Sequence, residues 1–168
     1  MTDSYSFEDV EFFTVGTLGP RGQRVFFLQG RADGELVSLK LEKQQVAALA
    51  DYLDQVLEDL PDGAVDTTPT DLTLREPVVP AWTIGALGVA YAPDDDRLIV
   101  MAEELLSNPD EGEDHIDEPS HARFSLRREQ VMGLIHRARD VVAAGRAPCP
   151  YCGQPLQPRN HDWCACSN

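Results

Sequence analysis

One short word of sequence occurs twice in this chain, and it limits the possible folds more than any other feature. Leu41-Glu42-Lys43-Gln44-Gln45-Val46, followed by Leu49, returns as Leu126-Arg127-Arg128-Glu129-Gln130-Val131, followed by Leu134. Leucine, glutamine, valine and leucine recur at one constant offset. Upstream, Val15-Gly16-Thr17-Leu18-Gly19 is echoed by Ile84-Gly85-Ala86-Leu87-Gly88, at a different offset because the second half carries an acidic insertion. A chain written twice in this way is expected to fold as two copies of one unit.

Periodicity says what the unit is. Phe12 to Leu18 and Arg24 to Gln29 are rich in aromatic and β-branched residues, with the turn chemistry of Pro20-Arg21-Gly22 between them. Ala32-Asp33-Gly34 supplies a hairpin turn. From Leu36 to Leu41 the residues alternate, Leu39 and Leu41 against Ser38 and Lys40, the period of a half-buried strand. Val46, Leu49, Ala50, Leu53, Val56, Leu57 and Leu60 then make an apolar stripe at helical spacing, ended by Pro61-Asp62-Gly63. The second half repeats the scheme: Trp82 to Tyr91, a turn at Pro93 to Asp96, Leu98 to Leu106, and Ala122, Phe124 and Leu126 alternating with polar neighbours. Its helix carries Val131, Leu134, Ile135, Ala138, Val141 and Val142, and Gly145 stops it.

The expected fold is therefore α+β. Duplicated β-β-β-α units form an antiparallel sheet covered on one face by two long helices, with a small C-terminal zinc knuckle appended. The duplicated domain spans 1–146, with repeat 1 at about 11–62 and repeat 2 at about 81–146; the knuckle takes 147–168. Two connectors fall outside the plan. Val65 to Pro80 is a loop or edge segment between the halves, and Asn108 to Pro119 is an acidic insertion expected to be mobile, because it has too little apolar content to repay its ordering entropy. A calcium loop there lacks the EF-hand spacing.

All four cysteines lie in the last twenty positions: Cys149, Cys152, Cys164 and Cys166, with His161 between the pairs. Two thiolates two residues apart can wrap a tight turn so that both sulfurs reach one tetrahedral Zn²⁺. Gly153 suits the turn that follows, and Pro148, Pro150, Pro155 and Pro158 keep the segment out of helix. Three candidates remain for two further ligand places. His161 and Cys164 are favoured, because a two-residue gap turns both donors toward one ion, whereas Cys164 and Cys166 point to opposite sides of an extended chain. Cys166 stays open as the alternative to either. The predicted ligand set is Cys149, Cys152, His161 and Cys164 around a structural zinc. A disulfide would use the same residues, but the start Met1-Thr2-Asp3-Ser4 has no basic, apolar leader and predicts a cytoplasmic, reducing setting. A redox Cys-x-x-Cys opens a helix near a βαβ pattern, whereas this one follows a helix and is dense in proline. A catalytic zinc would want a supported acid or base, and Asp162 stands alone.

The net charge of −15 argues against a broad nucleic-acid footprint, which needs clustered Lys and Arg. Arg123, Arg127, Arg128, Arg137, Arg139, Arg146 and Arg159 nonetheless make the C-terminal end locally basic, either as a solvated helix face or as a dock for a phosphate-bearing or acidic partner. No stretch approaches the roughly 18 apolar residues of a membrane span. Signatures of catalysis are missing: there is no Gly-x-Ser-x-Gly, P-loop, His-Glu-x-x-His or Gly-x-Gly-x-x-Gly after a strand. Gly16, Gly19, Gly85 and Gly88 sit on strands, where glycine allows bulges or close approach. His115, His121 and His136 have no evident partner, and Glu103 and Glu104, adjacent on a strand, face opposite ways. The aromatic residues Phe12, Phe13, Phe26, Phe27, Trp82 and Tyr91 are read as core.

Four stretches, "FTVGTLGPRGQRVFFLQ", "LVSLKLEKQQVAALADYLDQVL", "WTIGALGVAYAPDDDRLIVMAEE" and "RAPCPYCGQPLQP", make the chain resemble an uncharacterised actinobacterial family, a domain of unknown function of under about 200 residues with a C-terminal Cys-x-x-Cys knuckle. The resemblance covers nearly the whole length. It implies a set of three proteins, the others a phosphomutase-like histidine phosphatase and a kinase-like protein, sharing one pathway. It implies a metal for Cys149 and Cys152 and transfers no catalytic residue; the ending "HDWCACSN" departs from the family pattern. The reading that results is a non-catalytic zinc-bearing interaction or regulatory module with a protein partner. An enzyme or binder acting on a phosphorylated small molecule held by Arg123, Arg127 or Arg128 is the alternative, and nucleic-acid binding is a weaker third.

Overall fold

The computed structural model describes residues 3–20, 22–63, 65, 70–107, 118–144, 149–153 and 166. Among these are seven strands and two helices. They are β1 (Tyr5–Phe7), β2 (Phe12–Leu18), β3 (Val25–Ala32), β4 (Glu35–Leu41), α1 (Lys43–Asp59), β5 (Pro80–Ala92), β6 (Arg97–Glu104), β7 (His121–Leu126) and α2 (Arg128–Ala143). The strands form one sheet in the order β1-β7-β6-β5-β4-β3-β2.

Hairpins build the two halves. Asp33 and Gly34, with φ of 51° and 79°, join β3 to β4 in the left-handed pair of conformations that matches strand twist. Pro93 to Asp96 joins β5 to β6. Pairings within each half are antiparallel, but the expectation of a wholly antiparallel sheet does not hold: β4 pairs with β5, and β1 with β7, in parallel. Helix α1 and the connector after it carry the chain back across the sheet, so β5 starts from the same end as β4 and must run with it. The three-residue β1, too short to show a period in the sequence, stands against β7 as β5 stands against β4.

The two helices begin alike. The Glu42 backbone N–H donates to Gln45 Oε1 at 2.8 Å, and that of Arg127 to Gln130 Oε1 at 2.9 Å, satisfying an amide that the first turn leaves without a partner. Each glutamine then uses Nε2 on a carbonyl outside its own helix, Gln45 on Ile84 O of β5 at 3.1 Å and Gln130 on Val10 O, just before β2, at 2.6 Å. Val46, Leu49, Ala50 and Leu53 of α1 and Val131, Leu134, Ile135, Ala138 and Val141 of α2 are buried and share one core with the strands.

Strong curvature brings the ends of the sheet together over that core. Phe124 of β7 is fully buried; its ring lies 5.0 Å from that of Phe13 on β2 and 5.6 Å, edge-on, from that of Phe7 on β1. It also lies against Gly30 of β3, where an added Cβ would come within 2.5 Å of the ring. Glycine is required there because two strands near opposite ends of the sheet converge on one aromatic ring. At Gly85 the same need takes another form: the register shifts between Ile84 and Ala86, and the backbone of Leu105 would stand 2.9 Å from a Cβ.

The connector covers the second face of the first half. Gln29, fully buried on β3, donates to Arg75 O at 2.9 Å and accepts the Arg75 N–H at 2.8 Å, while Nε2 also reaches Ser38 Oγ at 3.0 Å. Arg75 lies over the Phe12 ring, 4.6 Å from its centroid. Residues 70–76 are thus a strap held by a buried amide, which is why Thr14, Gln29 and Ser38 are buried polar residues on strands.

Arg128 fastens the other end. It is buried, with Nε 3.0 Å from both oxygens of Asp96, Nη2 2.9 Å from Oδ1, and Nη1 2.7 Å from Pro61 O. Tyr91 donates its hydroxyl to Asp96 at 2.7 Å. One side chain thereby ties the end of α1, the β5–β6 turn and the start of α2. Hydrogen bonds from Arg128, and then from Tyr91, hold the Asp96 carboxyl below the usual carboxylate range. A depressed pKa contributes stability that is present above the unfolded-state value of about 3.9 and is lost as pH falls through the folded value. Asp96→Asn is therefore expected to be less stable than the parent at about pH 7, with the gap closing below about pH 4, as read from urea midpoints across that range.

Candidate metal centre

Beyond α2 the chain makes a tight turn around Cys149. The Gly153 N–H donates to Cys149 O at 2.9 Å, and the Tyr151 N–H points at Cys149 Sγ, 3.5 Å away. Gly153 has φ +74°, the left-handed conformation that the sequence reading assigned to it, with open space where a Cβ would stand. Cys149 is buried, at 4% exposure; Cys152 and Cys166 are exposed.

Cys149, Cys152 and Cys166 come together, their sulfurs all within 4.8 Å of one another and those of Cys149 and Cys166 at 3.5 Å. A tetrahedral ion with metal–sulfur bonds of about 2.3 Å sets its sulfurs roughly 3.8 Å apart. The three atoms therefore fit three vertices of one site and leave a fourth for another donor. Three cysteine sulfurs suit a soft or borderline cation and disfavour magnesium or calcium. An amide N–H aimed at Cys149 Sγ favours its thiolate, the form a metal needs.

Of the sequence-nominated ligands, Cys149 and Cys152 are brought together, and His161 and Cys164 lie outside the described residues. Cys166, the sequence alternative, is the third member. The case against it assumed an extended chain, and its backbone is in a 3₁₀ turn.

The three arginines nominated for phosphate do not converge. Arg123 pairs with Glu8 at 2.7 Å, Arg127 with Glu129 at 2.7 Å, and Arg128 is locked on Asp96. Arg146 and Arg159 lie outside the described residues, as do His115 and 108–117 of the acidic insertion. His121 stands 3.8 Å from Glu103, and His136 3.5 Å from Asp140, both as exposed surface pairs. Glu104 accepts the Ser120 N–H at 3.0 Å, and that bond first, then one from the Ser120 side chain, lowers its pKa. Glu103 and Glu104 thus serve different partners, as strand alternation predicts. Among the described residues, no helix is long and apolar enough to cross a membrane.

The sequence profile of a family described as "Protein of unknown function (DUF3090)" matches residues 5–164. No curated protein and no solved structure matches the chain.

Proposed function

The chain belongs to the DUF3090 family, and on that premise we infer that it is a non-catalytic, zinc-bearing interaction module of the cytoplasm. The observation that carries this reading is the convergence of Cys149, Cys152 and Cys166 within 4.8 Å. Zinc is the ion of choice because it takes four tetrahedral ligands from cysteine and histidine without redox change. His161 or Cys164 supplies the fourth. A site closed by four protein ligands has no place for substrate water, so the ion is structural: it fixes the fold of the tail.

What the fixed tail offers is a surface. Tyr151, between the two thiolates of the turn, is 85% exposed, and an aromatic side chain held in water by a rigid turn is a contact for a protein partner. The partner is one of the two other proteins of the implied set, the phosphatase-like or the kinase-like one. The two helix starts, each with its glutamine bridging a backbone amide and a carbonyl outside its own helix, support an origin of the body by duplication.

Protein purified without chelator from zinc-replete cells should carry about one zinc per chain by elemental analysis. Zinc-free protein would remove the metal reading. Tagged chain should retain one of the two neighbours and lose it on Tyr151→Ala; retention of neither would remove the interaction role and leave the metal site standing.

A further inference from the structure

A second candidate site lies away from the cysteines. It is a groove of about 570 Å³ between the outer strand β2, the strap at 70–73 and helix α2, within the roughly 300–1,000 Å³ of small-molecule sites. Phe12, Leu72 and Met132 give it apolar walls. Gly133 opens it from the α2 side, its missing side chain letting Leu72 approach to 3.4 Å from where a Cβ would be.

Its charges are unequally provided for. Four acids line the groove; three pair with an arginine, Glu11 with Arg31 at 3.5 Å, Asp71 with Arg75 at 3.4 Å and Glu129 with Arg127 at 2.7 Å, and Asp140 lies 3.5 Å from His136. Arg137, half-buried one turn beyond Gly133, has no such partner. Among the described arginines only Arg24 and Arg137 make no ion pair, and of these only Arg137 lines this groove. Its Nε donates to Val15 O at 3.2 Å. That bond holds the guanidinium in place and leaves both Nη groups for a ligand, a fork matched to a carboxylate.

We propose that this groove binds a small monocarboxylate with an apolar body, its carboxylate on Arg137 and its body over Phe12, Leu72 and Met132. An added peptide strand is the wrong occupant. Arg137 Nε already occupies the Val15 carbonyl in the middle of β2, and Gln130 Nε2 the Val10 carbonyl just ahead of it, so a strand added here would have to displace both. A dianionic phosphate ester is the wrong charge, because Arg137 is the one lining arginine without an acid partner and compensates a single negative charge.

The test titrates the full chain with hexanoate, hexyl phosphate and hexylammonium at slightly alkaline pH, following amide ¹H–¹⁵N shifts. Hexanoate should give saturable shifts centred on Gly133, Arg137, Phe13 and Thr73. Arg137→Gln should weaken it by about tenfold or more, the loss of one charge-assisted fork. Gly133→Leu, which fills the groove and keeps the arginine, should abolish it, and decides the matter if Arg137→Gln does not fold. Absence of saturable binding, scattered shifts, or equal binding of hexyl phosphate or hexylammonium would overturn the proposal. So would unchanged affinity in a folded Arg137→Gln.

Discussion

Phe124→Ala is expected to lower stability by about 3–5 kcal/mol, the range for removing a buried aromatic side chain, read as a fall in the urea midpoint with little change in slope. The upper part of that range is the better expectation. Phe124 is fully buried, touches the rings of Phe7 and Phe13, and fills the space that Gly30 leaves. Those contacts join β1, β2, β3 and β7, strands from both ends of the sheet, so the cavity would open where the curl closes and relaxation would break pairing. Met101→Ala, on a half-exposed side chain of β6, is the control and should cost well under half as much. A loss below about 1 kcal/mol at Phe124 would mean that the curl is held elsewhere. The reverse substitution makes the same point from the other side: Gly30→Ala puts a methyl group 2.5 Å from the ring, and its cost should shrink when Phe124 is already leucine, since the two share one space.

Much of this architecture is legible from local signals. The period-2 stretches became β4 and β7, the aromatic and β-branched runs became β2 and β3, the apolar stripes became α1 and α2, and Asp33-Gly34 made the hairpin turn, because each signal is carried by a residue and its own chain neighbours. What escaped the sequence depends on where the chain returns. The direction of β5 relative to β4 is fixed by the path of a connector with no periodicity. β1 is three residues long and gains its pairing only from β7. Gly30 looks like any strand glycine until Phe124 arrives from the far end of the sheet, and Gln29 looks like a misplaced polar residue until the strap brings Arg75 to it. The candidate metal site divides in the same way. Cys149, Cys152 and the turn glycine are local and were readable, whereas Cys166 is spatial and stood only as the alternative, because the preference for His161 and Cys164 assumed an extended chain that the turn at Cys166 does not provide. Arg137 was one of seven arginines named toward the C-terminal end of the sequence. It is singled out only by the partners of the other described arginines.

Removing the metal is expected to separate the tail from the body. Cys149→Ser should abolish metal retention: it deletes the buried sulfur, the one that the Tyr151 N–H faces and that lies 3.5 Å from Cys166, and a serine hydroxyl is a far weaker ligand than a thiolate for a borderline-soft ion. Chelation of the parent should have the same effect. In both cases the amide spectrum should change for 149–153 and 166, while Phe13, Leu28, Val100 and Phe124 stay as they were and the urea midpoint moves by less than about 1 kcal/mol equivalent. The reason lies in where the core ends. The buried cluster that joins the strands to both helices runs from Phe7 to Val141, with Val142 packed on its margin, and contains no residue of the cysteine turn. Metal binding energy is folding energy only for the residues whose order depends on the site. Global unfolding by chelator would show instead that the tail is part of the cooperative unit, and that the apolar core is not sufficient to hold a sheet this strongly curved. A tail that alone melts would mean that metal supply tunes the partner surface around Tyr151 without touching the groove at Arg137.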